Sequence, residues 1–167
     1  LNISNQPVLR LANPEDEEFL FAVFAAWRRP EYAYAGCSAS QLELLLRMQF
    51  RSQQKEYAAR FPDSPPSIIL VGGCGVGAVR FARSEQEYRI VEIAILPEFR
   101  NRRIGAAILR DFLDEAERVG KPVFVSVARS NSGSIHFHNK LGFKICAEDD
   151  VYLQMELQHC SHVSEDL

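Results

Sequence analysis

The chain has 167 residues, 47% hydrophobic and 25% charged, with 19 Lys+Arg against 22 Asp+Glu and a formal net charge of -3. That is globular composition, at a length that can bury the core of a single domain. The mildly acidic balance argues against nucleic acid as the main partner, and the lack of an apolar run of about 18 residues argues against a membrane span. Cys37, Cys74, Cys146 and Cys160 show no CxxC spacing and read as reduced thiols in a cytoplasmic setting. No signal peptide is visible, although Leu1 is not a start methionine.

In chain order, Val8 to Leu11 reads as a strand, and Asn13-Pro14-Glu15 as a helix start with proline in the first turn. A helix over Glu15 to Trp27 puts Phe19, Leu20, Val23 and Phe24 on one face, and Arg29-Pro30 ends it. After an aromatic loop holding Tyr32, Tyr34 and Gly36, Ser38 or Ser40 caps a second helix to about Arg60. Phe61 to Pro66 is a break. Ser67 to Val71 and Val76 to Ala82 form a hairpin about Gly72-Gly73-Cys74-Gly75, and Glu87 to Leu96 adds a third strand. Ile104 to Gly120 is a helix with Ile108, Leu109, Phe112, Leu113, Ala116 and Val119 as its buried stripe. Pro122 to Val127 is a strand covered on both faces, Ser132 to Leu141 a short helix, and Phe143 to Cys146 pairs with Val151 to Leu157. The order is β-α-α-β-β-β-α-β-α-β-β, an α/β (α+β) chain in which residues 1–158 make one domain and 159–167 a polar tail.

The stretch Val91 to Ala107, VEIAILPEFRNRRIGAA, carries the most chemistry. A β-branched strand stops at Pro97, the arginines Arg100, Arg102 and Arg103 follow, and Gly105 opens a helix. A helix N-terminus has unpaired amides and a partial positive charge, so a basic turn leading into one suits a phosphate. A solvated basic turn with no ligand is the plainer alternative.

These residues resemble the GNAT (Gcn5-related N-acetyltransferase) superfamily. Its signature is a strand ending in a Val-x-Pro-like step, then Arg/Gln-x-x-Gly-x-Gly/Ala opening a helix; here Ile95-Leu96-Pro97 precedes Arg100-Asn101-Arg102-Arg103-Ile104-Gly105. A second signature, Asn-x-x-Ala-x-x-x-Tyr-x-x-x-Gly-Phe, matches at Asn131, Ser134, His138, Gly142 and Phe143. The element order agrees from Val8 to Leu157, implying a mixed, mostly antiparallel sheet of about seven strands with about four helices. Two departures stand out: Arg103 replaces the first glycine of the turn, and His138 the usual tyrosine. Arg103 is expected to keep helical or otherwise unstrained backbone angles and to offer its N–H as glycine would.

The resemblance implies acetyl-coenzyme A as co-substrate. Its pyrophosphate would lie on the amides of Asn101, Arg102, Arg103, Ile104, Gly105 and Ala106, with Arg100 nearby. Its pantetheine arm would run beside Ile93-Ala94-Ile95, and Asn131 and Ser134 would contact it from the second motif. The implied reaction is direct transfer of acetyl to a primary amine, with a small molecule favoured over a protein N-terminus or lysine as acceptor. A coenzyme A-binding sensor that has lost catalysis is the competitor from another class.

His138 falls on the same helix face as Asn131 and Ile135, so it is the candidate general acid for the leaving thiolate, against a packed imidazole. Glu92 is an acid inside an apolar strand: a base or amine-recognition group, against a salt bridge to Arg80 or Arg89 or an exposed strand face. Tyr32, Tyr34 and Ser126 are weaker candidates for the acceptor's contacts, and the tyrosines more readily pack a helix junction. His159, Cys160 and His162 are too short a cluster for a metal, so none is expected. The protein is expected to be a monomer or homodimer.

Overall fold

The structure is a computed structural model and describes residues 6–157. Its seven strands are β1 (Val8–Leu11), β2 (Ser67–Val71), β3 (Cys74–Arg83), β4 (Tyr88–Ile95), β5 (Val123–Ala128), β6 (Lys144–Glu148) and β7 (Tyr152–Leu157). The helices are α1 (Glu17–Arg28), α2 (Ala39–Arg60), α3 (Ile104–Arg118) and α4 (Ser132–Lys140). The sheet order is β1-β2-β3-β4-β5-β7-β6, mostly antiparallel, with β4 and β5 parallel over Tyr88–Ile90 and Val123–Val125. Two compact units are distinguished: the described residues up to Phe81 with Glu92–Ile108, and Ala82–Val91 with those from Leu109 onward.

In the first unit, Gly72 and Gly73 take φ of 58° and 83°, the left-handed pair that a two-residue hairpin turn requires. β3 therefore begins at Cys74, and the turn is two residues rather than the four expected. α1 is entered through a 3-10 turn, Pro14–Asp16, capped by Asn13. Asn13 accepts from the Glu15 amide at 2.9 Å, and Asp16 accepts in return from the Asn13 amide at 2.8 Å. Ser38 caps α2 in the same reciprocal way with Gln41. Phe21, Phe24 and Ala25 of α1 meet Leu46 and Phe50 of α2. Phe21 was not among the expected core residues, while Phe19 and Leu20 are only half-buried. A second cluster joins Ile69, Val76 and Val79 to Ile104 and Ile108 of α3, with Ile93, Ile95 and Phe99 packed on it.

In the second unit, β5 pairs along its length with β7, and Val123, Val125, Val127, Leu153 and Met155 are buried. Only that face of β5 is fully covered. Ser126 is exposed, which corrects the expectation of a strand covered on both faces. Tyr88 stacks on Phe112 at 5.3 Å and donates to Glu115, which also holds Arg83. Gly120 terminates the α3 segment with φ 65°. Val119 is exposed rather than part of the stripe, because α3 ends at Arg118 and Val119 lies in the turn that follows.

Candidate active site

The turn after β4 is built by backbone conformation. Pro97–Phe99 form a 3-10 turn, and Arg100 is extended at φ -67°. Asn101 and Arg103 then take φ of 60° and 62°, and α3 begins at Ile104. Arg102, lying between two left-handed residues, is not itself among them, so the sign of φ alternates along Arg100–Arg103. Such alternation turns successive amides toward one concavity, a nest suited to an anion. Among the described residues, no carbonyl or side chain accepts from the amides of Asn101 to Ala106; the first amide paired at this end is Ala107, donating to Arg103 O at 3.0 Å. The expectation that Arg103 keeps helical angles is therefore wrong. Both residues carry a Cβ that crowds the carbonyl there; the short polar side chain of asparagine offsets this by local hydrogen bonding, and the long one of arginine does not.

The three arginines differ in what they do. Arg100 donates through Nε to Ile95 O at 2.9 Å, and Arg102 through Nη2 to Glu98 O at 2.8 Å with its guanidinium 5.4 Å from the Phe99 ring. These two brace the turn. The Arg103 side chain is exposed and makes no hydrogen bond or ion pair among the described residues.

On β4, Leu96 donates to Val76 O at 2.9 Å, so that peptide faces β3. By strand alternation Ile93 and Ile95 direct their amides and carbonyls away from β3, and Ala94 directs its own toward it. Ladder pairing with β5 stops at Ile90, which leaves Ile93 and Ile95 on an unladdered edge; there Arg100 covers the Ile95 carbonyl. Gly77 is needed beside this strand, because a Cβ there would collide with Ala94 O.

Side chains alternate too. Ile93 and Ile95 pack toward the start of α3, so Glu92 lies on the opposite face of the sheet, which also carries Arg80. Glu92 makes neither of the expected salt bridges among the described residues. Arg89 pairs instead with Glu87 at 2.8 Å, and Arg80 donates to Ser64 O and Gln54 Oε1, both at 2.7 Å. Burial pushes the Glu92 carboxyl up, and the Arg80 charge partly opposes that. Arg80 is 5% exposed, an arginine set among the apolar residues Val79 and Phe81 of β3 that the sequence offers only as a bridge partner for Glu92.

In the second unit, the residues of the second motif hold one another. Asn131 caps α4, its Oδ1 accepting from the Ser134 amide at 3.0 Å. His138 is 1% exposed, with Nδ1 2.9 Å from Ser134 O and 3.3 Å from Ser134 Oγ. A carbonyl can only accept, so Nδ1 carries the proton. Nε2 is then a bare acceptor, and it is buried without a partner among the described residues. Phe137 and Phe143 meet the ring edge-on at 5.1 and 5.4 Å. Burial pulls the imidazole below its ordinary range, against the Ser134 bond that raises it. A neutral ring in this tautomer has no Nε2 proton to give, and the geometry favours the packed imidazole.

The weaker candidates are placed as follows. Tyr32 packs on the α1–α2 cluster and accepts from Gln49 at 2.6 Å, whereas Tyr34 is fully exposed. Ser126 accepts from Gln154 at 2.5 Å. No group of three or more metal-binding side chains occurs among the described residues, and His159, Cys160 and His162 lie outside them.

Comparison with known proteins joins these observations. An uncharacterised N-acetyltransferase, CgeE of Bacillus subtilis (strain 168), is 31% identical over 101 residues. That match covers 54% of this chain and 39% of CgeE, so the chain spans well under half of that relative's length. The PaiA N-acetyltransferase of Thermoplasma acidophilum, solved in complex with coenzyme A, superposes with a TM-score of 0.70 at 20% identity, over 92% of this chain and 99% of that one. The ribosomal-protein-S18-alanine N-acetyltransferase of Escherichia coli does so with 0.62 at 18% identity, over 97% and 99%. These likenesses show a shared fold. The family profile described as "Acetyltransferase (GNAT) family" matches residues 17–143, most of the chain, and the protein therefore belongs to the GNAT acetyltransferase family.

Proposed function

We propose that the protein transfers an acetyl group from acetyl-coenzyme A to a primary amine, of a small molecule in the first instance. The observation that carries this reading is the turn Arg100–Arg103, whose alternating backbone and following helix start present six consecutive amides, Asn101–Ala106, without acceptors among the described residues. Such a concavity fits a pyrophosphate, and Arg103 adds a cation that no protein group engages among the described residues. The outward peptide groups of Ile93 and the Ile95 amide suit an extended amide-bearing arm laid along β4.

When bound, acetyl-coenzyme A supplies a thioester whose acetyl carbon bonds to the amine nitrogen while sulfur leaves with the C–S electron pair. The chain's own contribution begins with orientation, because fixing the two reactants turns a bimolecular encounter into a local one. Glu92 is the base. Its carboxylate takes the proton from the incoming ammonium and leaves the nitrogen lone pair free to attack. His138 is assigned no proton transfer, since its protonated nitrogen is tied to Ser134 O.

Acetyl-coenzyme A should raise the melting temperature, because a ligand that binds only the folded state stabilises it. No shift at millimolar concentration would overturn the cofactor assignment. Free thiol release across a panel of small amines, amino-terminal peptides and lysine peptides identifies the acceptor. Turnover confined to the peptides would replace the small-molecule reading, and binding without turnover on any acceptor would favour a sensor.

A further inference from the structure

The face of the sheet that carries Glu92 holds a second charged group, and its surroundings are unusual. Arg80 projects from β3 and is 5% exposed. Its two terminal nitrogens are fixed by Ser64 O and Gln54 Oε1 at 2.7 Å, and its guanidinium lies 5.2 Å from the Tyr57 ring. Nε is buried without a hydrogen-bond partner among the described residues. The partners it does have are a carbonyl, an amide oxygen and a ring, all uncharged, so a full cation is held rigidly with no carboxylate against it. A buried charge is costly unless something uses or compensates it.

Face parity identifies the group that does. Val79 and Phe81 pack toward α3, and Arg80 between them points toward α2; Ile93 and Ile95 pack toward α3, and Glu92 beside them points as Arg80 does. β3 and β4 are neighbours in the sheet. Arg80 is the charged group that acts on Glu92, and Tyr57 of α2 stands behind Arg80. On β4 itself Arg89 is already engaged by Glu87.

We propose that Arg80 is a positioning residue for acetyl transfer: its immobilised guanidinium, on the same sheet face as the half-buried Glu92 carboxyl, favours the ionised form that accepts the amine's proton. It acts at a distance, without forming an ion pair. A direct bridge would occupy the carboxylate oxygens, whereas a charge one shell away leaves them open to the ammonium. The step balances simply. The carboxylate gains the proton and becomes a neutral carboxyl, and the ammonium becomes an amine with its lone pair free. This inference rests on the proposed role of Glu92 as base.

The test separates the two assignments by measuring the carboxyl directly. In protein labelled at the glutamate carboxyl carbon, the Glu92 resonance, assigned by its loss in Glu92→Gln, is titrated in wild type, Arg80→Gln and Arg80→Lys. Arg80→Gln should move the midpoint upward by about one pH unit or more, and Arg80→Lys should restore most of it. The acid limb of kcat/KM should move with it, and activity at high pH should persist. An unchanged midpoint in folded Arg80→Gln overturns the role of Arg80, whatever the activity does. A shifted midpoint with an unshifted kinetic limb overturns Glu92 as base instead and leaves the electrostatic coupling standing. If Arg80→Gln fails to fold, Gln54→Leu provides the second probe. It frees one guanidinium nitrogen while keeping the charge, and an unchanged Glu92 midpoint there would overturn the need for immobilisation.

Discussion

Arg103 gives the sharpest prediction, because the same residue is a glycine in the family signature and a left-handed arginine here. At φ 62° its Cβ crowds the backbone, at a cost of about 1–2 kcal/mol for an L-residue. Arg103→Gly removes that strain. It also gives the unfolded chain more freedom, which returns about 0.5–1 kcal/mol. The net expectation is a gain of about 0.5–1 kcal/mol in the protein without ligand. For a chain of this size that is a rise of about 1–4 °C in Tm. The control is Arg102→Gly next door, where φ is not positive and the entropy loss stands without compensation, together with the bond to Glu98 O. Urea unfolding of wild type and both variants at neutral pH reads the difference, with Arg103 expected on the favourable side. Arg103→Gly falling at or below Arg102→Gly would refute the strain. Affinity for coenzyme A then divides backbone from side chain. If the amides do the gripping, Arg103→Gly and Arg103→Ala bind within a few-fold of wild type; a large loss in both assigns the grip to the guanidinium.

Three further outcomes follow from the geometry. Gly77→Ala should destabilise by about 1–3 kcal/mol in urea unfolding, since its methyl would collide with Ala94 O; a neutral effect would mean that β4 yields easily there. Asp16 is held at about 2 by its bond to Arg10 and then by the Asn13 amide, so its contribution is complete above the ordinary value of 3.8 and is lost as pH falls toward 2. Asp16→Asn should flatten stability across that window, and an unaltered pH dependence would contradict the pairing. His138→Phe should keep most of its activity under conditions where chemistry limits turnover, as should His138→Tyr. Loss in phenylalanine with rescue in tyrosine would restore the histidine to the role of proton donor.

The elements were legible because several independent local signals agree on each. α2 shows a serine cap, a glutamine three residues on and a leucine-rich face, and it forms where those signals place it. The hairpin glycines and the proline-stopped β4 are read the same way, from backbone constraints that act within a few residues. What was misread depends on partners distant in sequence. Val119 has the periodicity of a buried position, yet the helix ends one residue before it; Ser126 sits in an apolar run, yet one side of its strand is open. Arg103 was misread for a different reason. The sequence shows that glycine is absent but not which sign of φ the turn imposes, because that sign is set by how β4 must meet α3.

The candidate site divides along the same line. Helical spacing puts His138 on the face of Asn131 and Ile135, but a shared face does not say what the side chains do with their neighbours. Asn131 spends its oxygen on the Ser134 amide, and the Ser134 carbonyl receives the imidazole N–H. A motif that reads as a row of ligand contacts is thus also the cap and inner brace of a nine-residue helix. Isolated helices that short are marginal, so these bonds matter to whether α4 forms. Glu92 shows the converse. Its oddity in an apolar strand was plain, and the bridge to Arg80 was the economical explanation, yet the guanidinium is spent on Ser64 and Gln54. Withholding that bridge leaves a carboxylate with its oxygens open and a fixed cation one shell away. A carboxylate arranged for stability alone would be paired directly; the proposed proton exchange needs one that stays available, and the engagement of Arg80 by Ser64 and Gln54 is consistent with that.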